Sequence, residues 1–115
     1  MSKEVVTPRD GAGRVDHDAG GKLWSDMVRY YPSGVHRRRL IGKWLAPLRP
    51  RTLLDAGCGP GHLLDHLRAV LPAAALCGVD DAAGTVEENR RRLPFARFER
   101  LDLARERLDE RFDAV

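Results

Sequence analysis

The sequence predicts an α/β fold built on a doubly wound parallel sheet, with two helices ahead of the first strand. Three observations carry this expectation. Short apolar runs near 52–56, 75–79 and 96–101 alternate with segments of helical periodicity. Each run ends in or beside a carboxylate, at Asp55, Asp80 and Asp102 in turn. The first is followed by glycine at every second position, Gly57, Gly59 and Gly61. Strand–helix–strand–helix–strand order is the pattern of parallel βαβ units. Ligands of such sheets sit beyond the carboxyl ends of the strands, where these carboxylates and glycines fall.

Taken in order, residues 1–20 are polar and broken by Pro8, Gly11, Gly13 and Gly20, so a flexible N-terminal arm is expected there. Residues 21–50 are read as two helices. In the first, Leu23, Trp24, Met27, Val28 and Tyr31 recur at helical spacing and Pro32 ends the segment. The second starts near Ser33 as cap. It presents Leu40, Ile41, Trp44, Leu45 and Leu48 as its apolar face and closes at Pro47 and Pro50. Thr52–Ala56 is a buried strand leading into the glycine turn. Leu63, Leu64, Leu67, Val70 and Leu71 form a helical face stopped by Pro72. Ala75–Val79 is the second strand and residues 82–92 a helix, with Asp81 as its N-cap. Residues 96–101 form the third strand, and Phe112–Val115 begin a fourth.

The composition sets bounds on function. A chain of 115 residues, 43% hydrophobic and 32% charged, suits one globular domain. A net charge of +3 is too small to argue for a nucleic-acid partner. Arg37-Arg38-Arg39 beside His36 is read as a solvated basic helix face, with phosphate contact as the alternative. Tyr30, Tyr31 and Trp24 are read as helix packing on the sheet, with a place in a ligand pocket as the alternative. Cys58 and Cys77 form no C-x-x-C pair, and the N-terminus has no signal peptide. No apolar run approaches the roughly 20 residues that span a bilayer. A reduced, cytoplasmic protein is expected. His17, His36, His62 and His66 show no metal-ligand clustering; His62 and His66 lie one helical turn apart but lack a third ligand, so no metal is assigned.

Glycines at alternate positions have a physical reason. Glycine costs backbone entropy and adds no packing, so its use is positive φ and close approach of a ligand to the main chain. Gly57-Cys58-Gly59-Pro60-Gly61 reads as a bare shelf, against the alternative of an ordinary strand-to-helix turn. Cys58 sits at a helix start, where a thiolate is favoured, but is read as a small loop residue and not a nucleophile.

Leu54-Asp55-Ala56-Gly57-Cys58-Gly59-Pro60-Gly61 resembles the first motif of the class I, Rossmann-like methyltransferases that use S-adenosylmethionine. Gly78-Val79-Asp80 resembles their second motif and Phe98–Leu103 their third. Arg111–Val115 resembles the run into their fourth strand. The resemblance covers residues 51–115, in the correct order and spacing. It implies strands 1–3 and the start of strand 4, the latter beside the first. It also implies a chain that stops before the half that chooses the substrate, and that on its own does not transfer methyl groups.

The resemblance further implies that the backbone of Gly57, Gly59 and Gly61, with Cys58 in the same loop, lies along the methionine portion of S-adenosylmethionine. Asp55 stands near its ammonium. Asp80 binds the ribose hydroxyls and Asp81 the helix start. Asp102 accepts from the adenine amino group, and the Leu103 N–H faces the ring. The alternative for Asp102 is a surface carboxylate among Arg100, Arg105 and Arg107. No catalytic residue is assigned, and a small-molecule methyl acceptor is expected. Two rivals stand beside this reading. A dinucleotide oxidoreductase would place its third glycine at position 62, which is His62. A non-catalytic module would bind a partner or nucleic acid through the Arg-rich helix.

Overall fold

The computed structural model describes residues 26, 27 and 29–115. The expected arm over 1–20, and Leu23, Trp24 and Val28 of the first helix, lie outside the described residues. Residues 26, 27, 29 and 30 are helical, and the Tyr31 N–H closes that turn on the Met27 carbonyl at 3.0 Å. Met27, Tyr30 and Tyr31 are exposed, so the expected packing of Tyr30 and Tyr31 on the sheet is not found.

Helix α1 runs Pro32–Leu45 and passes into a 3-10 turn, Ala46–Leu48. Pro32 ends the preceding helical segment, which stops at Tyr30, as expected, and it also starts this helix. Its fixed φ and missing N–H suit the first helical turn, where the N–H has no partner anyway. Ser33 is not the cap: Tyr31 occupies that position, without a side-chain cap. The inward face also differs. Gly42 is the fully buried position, and a Cβ there would lie 3.1 Å from His66 Nε2. Close approach at a glycine turns the helix so that Trp44 and Leu48 are exposed, while Leu40, Ile41 and Leu45 are half-buried.

Strand β1 (Thr52–Ala56), α2 (His62–Val70), β2 (Ala75–Asp80), α3 (Ala83–Arg92) and β3 (Arg97–Arg100) follow in alternation. β1 pairs parallel with β2 from Thr52↔Ala75 to Ala56↔Val79, and β2 with β3 from Cys77↔Arg97 to Asp80↔Arg100. Beyond β1, Leu53 and Ala114 form a parallel bridge. The Leu54 N–H donates to the Ala114 carbonyl at 2.9 Å, and the Ala114 N–H to the Thr52 carbonyl at 3.2 Å. The spatial order is therefore β3-β2-β1 and then the segment at Ala114, with the fourth run beside the first as expected.

Side chains alternate across the sheet because the strand period is two. Leu53, Leu76 and Phe98 face α2 and α3, where Leu64, Leu67, Leu71, Val86 and Leu93 complete one core. Leu54, Cys77 and Val79 face the other way and are covered by Leu101, Leu108 and Phe112 of the segment after β3. Both faces of β1 and β2 are apolar, which is why these strands read as continuous runs. Among the described residues no helix is long and apolar enough to cross a membrane.

Candidate functional site

The carboxyl ends of all three strands lie on one edge of the sheet, because the pairing is parallel throughout. β1 delivers Asp55 and the glycine loop to this edge, β2 delivers Asp80, and β3 delivers Asp102. The loop after β1 is anchored first to its neighbour. The N–H groups of Gly57 and Cys58 both donate to the Val79 carbonyl, at 2.9 and 3.0 Å. The Gly61 N–H then donates to the Cys58 carbonyl at 3.1 Å, and Gly61 serves as N-cap of α2.

The three glycines share positive φ, at +74°, +51° and +79°, but not one purpose. At Gly57 and Gly59 a Cβ would meet nothing within 4 Å. These two form the open shelf read from the sequence. Gly61 differs. A Cβ there would lie 2.6 Å from Leu93 Cδ1, so this glycine lets the start of α2 seat against α3. Its absent side chain faces the core and not open space.

Cys58 also points away from the shelf. Its Sγ lies 2.9 Å from where a Cβ of Gly78 would stand and 3.9 Å from Asn89 Nδ2, under the loop. The helix start favours a thiolate, yet burial pushes this thiol up to about 12, and the Asp55 and Asp80 carboxylates push in the same direction. The thiol is neutral, in keeping with a loop residue and not a nucleophile.

Asp80 does more for the loop than the sequence suggested. Its Oδ2 accepts the Gly59 N–H at 2.9 Å, and its Oδ1 accepts the Ala82 N–H at 3.0 Å. Ala82, not Asp81, is the N-cap of α3, and it has no side-chain cap. Asp80 thus holds the N-cap residue of α3 as well as the loop. A carboxylate has about four lone-pair sites, so Asp80 keeps acceptor capacity after these two bonds. Asp81 contributes its carbonyl, which accepts from Arg100 Nε at 3.0 Å.

Asp55 is the electrostatic centre of the edge. Burial, and secondarily the charge of Asp80, raise its carboxyl to about 6. Below pH 4 the folded and unfolded chains both carry it protonated. Between about 4 and 6 only the unfolded chain ionises, so folding stability falls as pH rises through that window and is flat above it. The loss is on the order of 3 kcal/mol. Urea melts at pH 4 and 7 should show it as a difference between the wild type and Asp55→Asn, which lacks this titration. Equal pH dependence of the two proteins would contradict it.

Asp102 is half-buried and folds a turn. Its Oδ1 accepts the Ala104 N–H at 3.1 Å, and its carbonyl accepts from the Arg105 and Glu106 N–H groups. Arg105 Nε stands 3.9 Å from Oδ2. Leu103 beside it is exposed. Asp102 is thus a carboxylate at the carboxyl edge of the sheet with an arginine near it.

Two contributors escaped the sequence reading. Asn89 Nδ2 donates to the Gly59 carbonyl at 2.7 Å, and an Arg92 guanidinium nitrogen to the Pro60 carbonyl at 2.8 Å. The signal for Asn89 was present: Val86, Asn89 and Leu93 follow helical spacing and all are buried. A polar side chain in the middle of an apolar stripe has a partner to find.

No protein-family model matches the chain. The trans-aconitate 2-methyltransferase of Methylobacterium nodulans is 40% identical over 82 residues, which are 69% of this chain and 32% of that protein. The chain thus spans about a third of the length of this relative. Among solved structures, a TehB-like SAM-dependent methyltransferase from Corynebacterium glutamicum superposes with a TM-score of 0.66 at 24% identity. The match covers 85% of this chain and 53% of that one. The plantazolicin methyltransferase BpumL, solved with S-adenosylhomocysteine and a monoazolic desmethylPZN analog, gives a TM-score of 0.66 at 20% identity. It covers 84% of this chain and 40% of that one. These structural likenesses concern the fold.

Proposed function

We propose, from this chain's membership in the class I (Rossmann-like) S-adenosylmethionine-dependent methyltransferases as their N-terminal part, that it forms the cofactor-binding portion of a cytoplasmic methyltransferase. One observation carries the proposal. An open glycine shelf, with free space over Gly57 and Gly59, lies beside a half-buried carboxylate, Asp55, at the carboxyl edge of the sheet. A half-buried acid with a raised pKa is stabilised by a cation placed against it. The ammonium of S-adenosylmethionine is such a cation.

Residues 51–115 hold the cofactor in this reading. The methionine portion lies along the main chain at Gly57 and Gly59, with its ammonium toward Asp55. The remaining acceptor sites of Asp80 take the ribose hydroxyls, and Asp102 with the Leu103 N–H takes the adenine. Gly61 and Cys58 act by shaping the loop from beneath. Bound there, S-adenosylmethionine supplies a methyl carbon already activated by a sulfonium leaving group. The work left to the protein is orientation and exclusion of water.

The acceptor is a small molecule. The name of the Methylobacterium relative makes an organic acid of the trans-aconitate kind the first to try. A carboxylate is ionised at neutral pH and needs no base to become a nucleophile. The dinucleotide reading is disfavoured by His62, a buried residue at the first position of α2, where that fingerprint needs glycine. Calorimetric titration at pH 7 separates the two. Saturable binding of S-adenosylhomocysteine without binding of NADH is expected, and the reverse would sink the proposal.

A further inference from the structure

Asn89 is among the least exposed side chains described, at 1%, yet only half of its amide is used. Nδ2 donates to the Gly59 carbonyl at 2.7 Å and approaches Cys58 Sγ at 3.9 Å. Oδ1 is buried with no hydrogen-bond partner. Exchanging the two amide atoms does not help, because it would set Oδ1 against the Gly59 carbonyl oxygen. An orphaned buried acceptor is a cost to folding. An apolar residue of the same volume between Val86 and Leu93 would avoid it. Stability therefore does not explain an asparagine at this position.

The loop explains it. Gly59 has both of its main-chain polar groups held by side chains. Its N–H donates to Asp80 Oδ2 at 2.9 Å and its carbonyl accepts from Asn89 Nδ2. The side where a Cβ would be is empty. A glycine at φ +51° is free to leave that conformation unless its peptide groups are fixed. Asp80 belongs to the ligand edge itself, whereas Asn89 lies wholly beneath it, on α3.

We propose that Asn89 is a positioning residue for the cofactor shelf. It latches the Gly59 carbonyl so that the open face of the loop is preformed before ligand arrives. This inference rests on the cofactor reading above for its consequence, but not for its geometry.

The test uses the 115-residue chain with Asn89→Leu, which keeps volume and removes the donor, and Asn89→Ala. Three quantities are read: S-adenosylhomocysteine affinity, thermal midpoint, and hydrogen exchange of the Gly59 amide in the ligand-free protein. In at least one variant, affinity is expected to fall about tenfold while the thermal midpoint holds or rises. Gly59 exchange should accelerate, with core amides such as Leu54 unchanged. Affinity within twofold of wild type with Gly59 protection intact overturns the proposal. So does a parallel loss of midpoint and of protection throughout the core in both variants, which marks a merely structural residue. If the wild type binds no S-adenosylhomocysteine, the cofactor reading fails, and the exchange measurement alone decides the latch.

Discussion

Gly61→Ala should destabilise the chain by about 2–3 kcal/mol while Gly57→Ala costs about 1 kcal/mol or less. Both sites have positive φ, so both substitutions carry the left-handed backbone penalty of roughly 1 kcal/mol. Only at Gly61 does the new methyl group meet a neighbour, with Leu93 Cδ1 at 2.6 Å. Leu93 is buried in the core shared with Leu64 and Phe98, so its displacement adds an overpacking cost of about 1–2 kcal/mol. For a domain of this size the difference is roughly 10 °C in melting temperature. The order reverses for ligand. At Gly57 the methyl group projects into the free space of the shelf, so affinity falls there without a matching loss of stability. Urea and thermal melts of the two variants check this. Equal destabilisation would mean that the glycines serve one common purpose.

Asp80→Ala is expected to weaken S-adenosylhomocysteine binding by about 10- to 100-fold, the scale of lost charge-assisted hydrogen bonds. Two losses combine. The acceptor proposed for the ribose disappears, and so do the bonds that hold the Gly59 and Ala82 N–H groups at 2.9 and 3.0 Å. The second loss also lowers folding stability, by about 1–2 kcal/mol. Asp81→Ala should change affinity less than threefold, because the bonds to the Gly59 and Ala82 N–H groups come from Asp80. A larger effect at Asp81 than at Asp80 would reverse the assignment of the two acids.

Most of the fold was legible because it rests on period and order. The apolar runs of β1 and β2 are buried on both faces, and their carboxyl ends carry the acids that mark the ligand edge. What the sequence hid depends on distances between segments far apart in the chain. Nothing local says that Gly61 abuts Leu93 while Gly57 and Gly59 face open space. Nothing local says that Asp80 reaches back 21 residues to Gly59. Asn89 was overlooked because it sits among Glu87, Glu88 and Arg90, whose exposed charges disguise the buried stripe of α3. Pro32 was read only as a stop, because proline both ends helices and favours their first turn, and here it does both. Trp44 and Leu48 were expected inside because hydrophobicity was counted and the close contact at Gly42 was not. An acceptor site did not emerge from the sequence, and the described edge assigns no residue to one.

The central claim is that the Asp55 edge receives the ammonium end of an adenosine ligand. The measurement that tests it most directly is calorimetric titration of the wild-type chain with S-adenosylhomocysteine at pH 5, 6 and 7. The free carboxyl titrates near 6, and an ammonium beside it favours the ionised form. Affinity should therefore rise about tenfold from pH 5 to 7 and flatten above 6, with proton release on binding at the lower pH values. No saturable heat at millimolar ligand, or an affinity indifferent to pH across this range, would contradict the account.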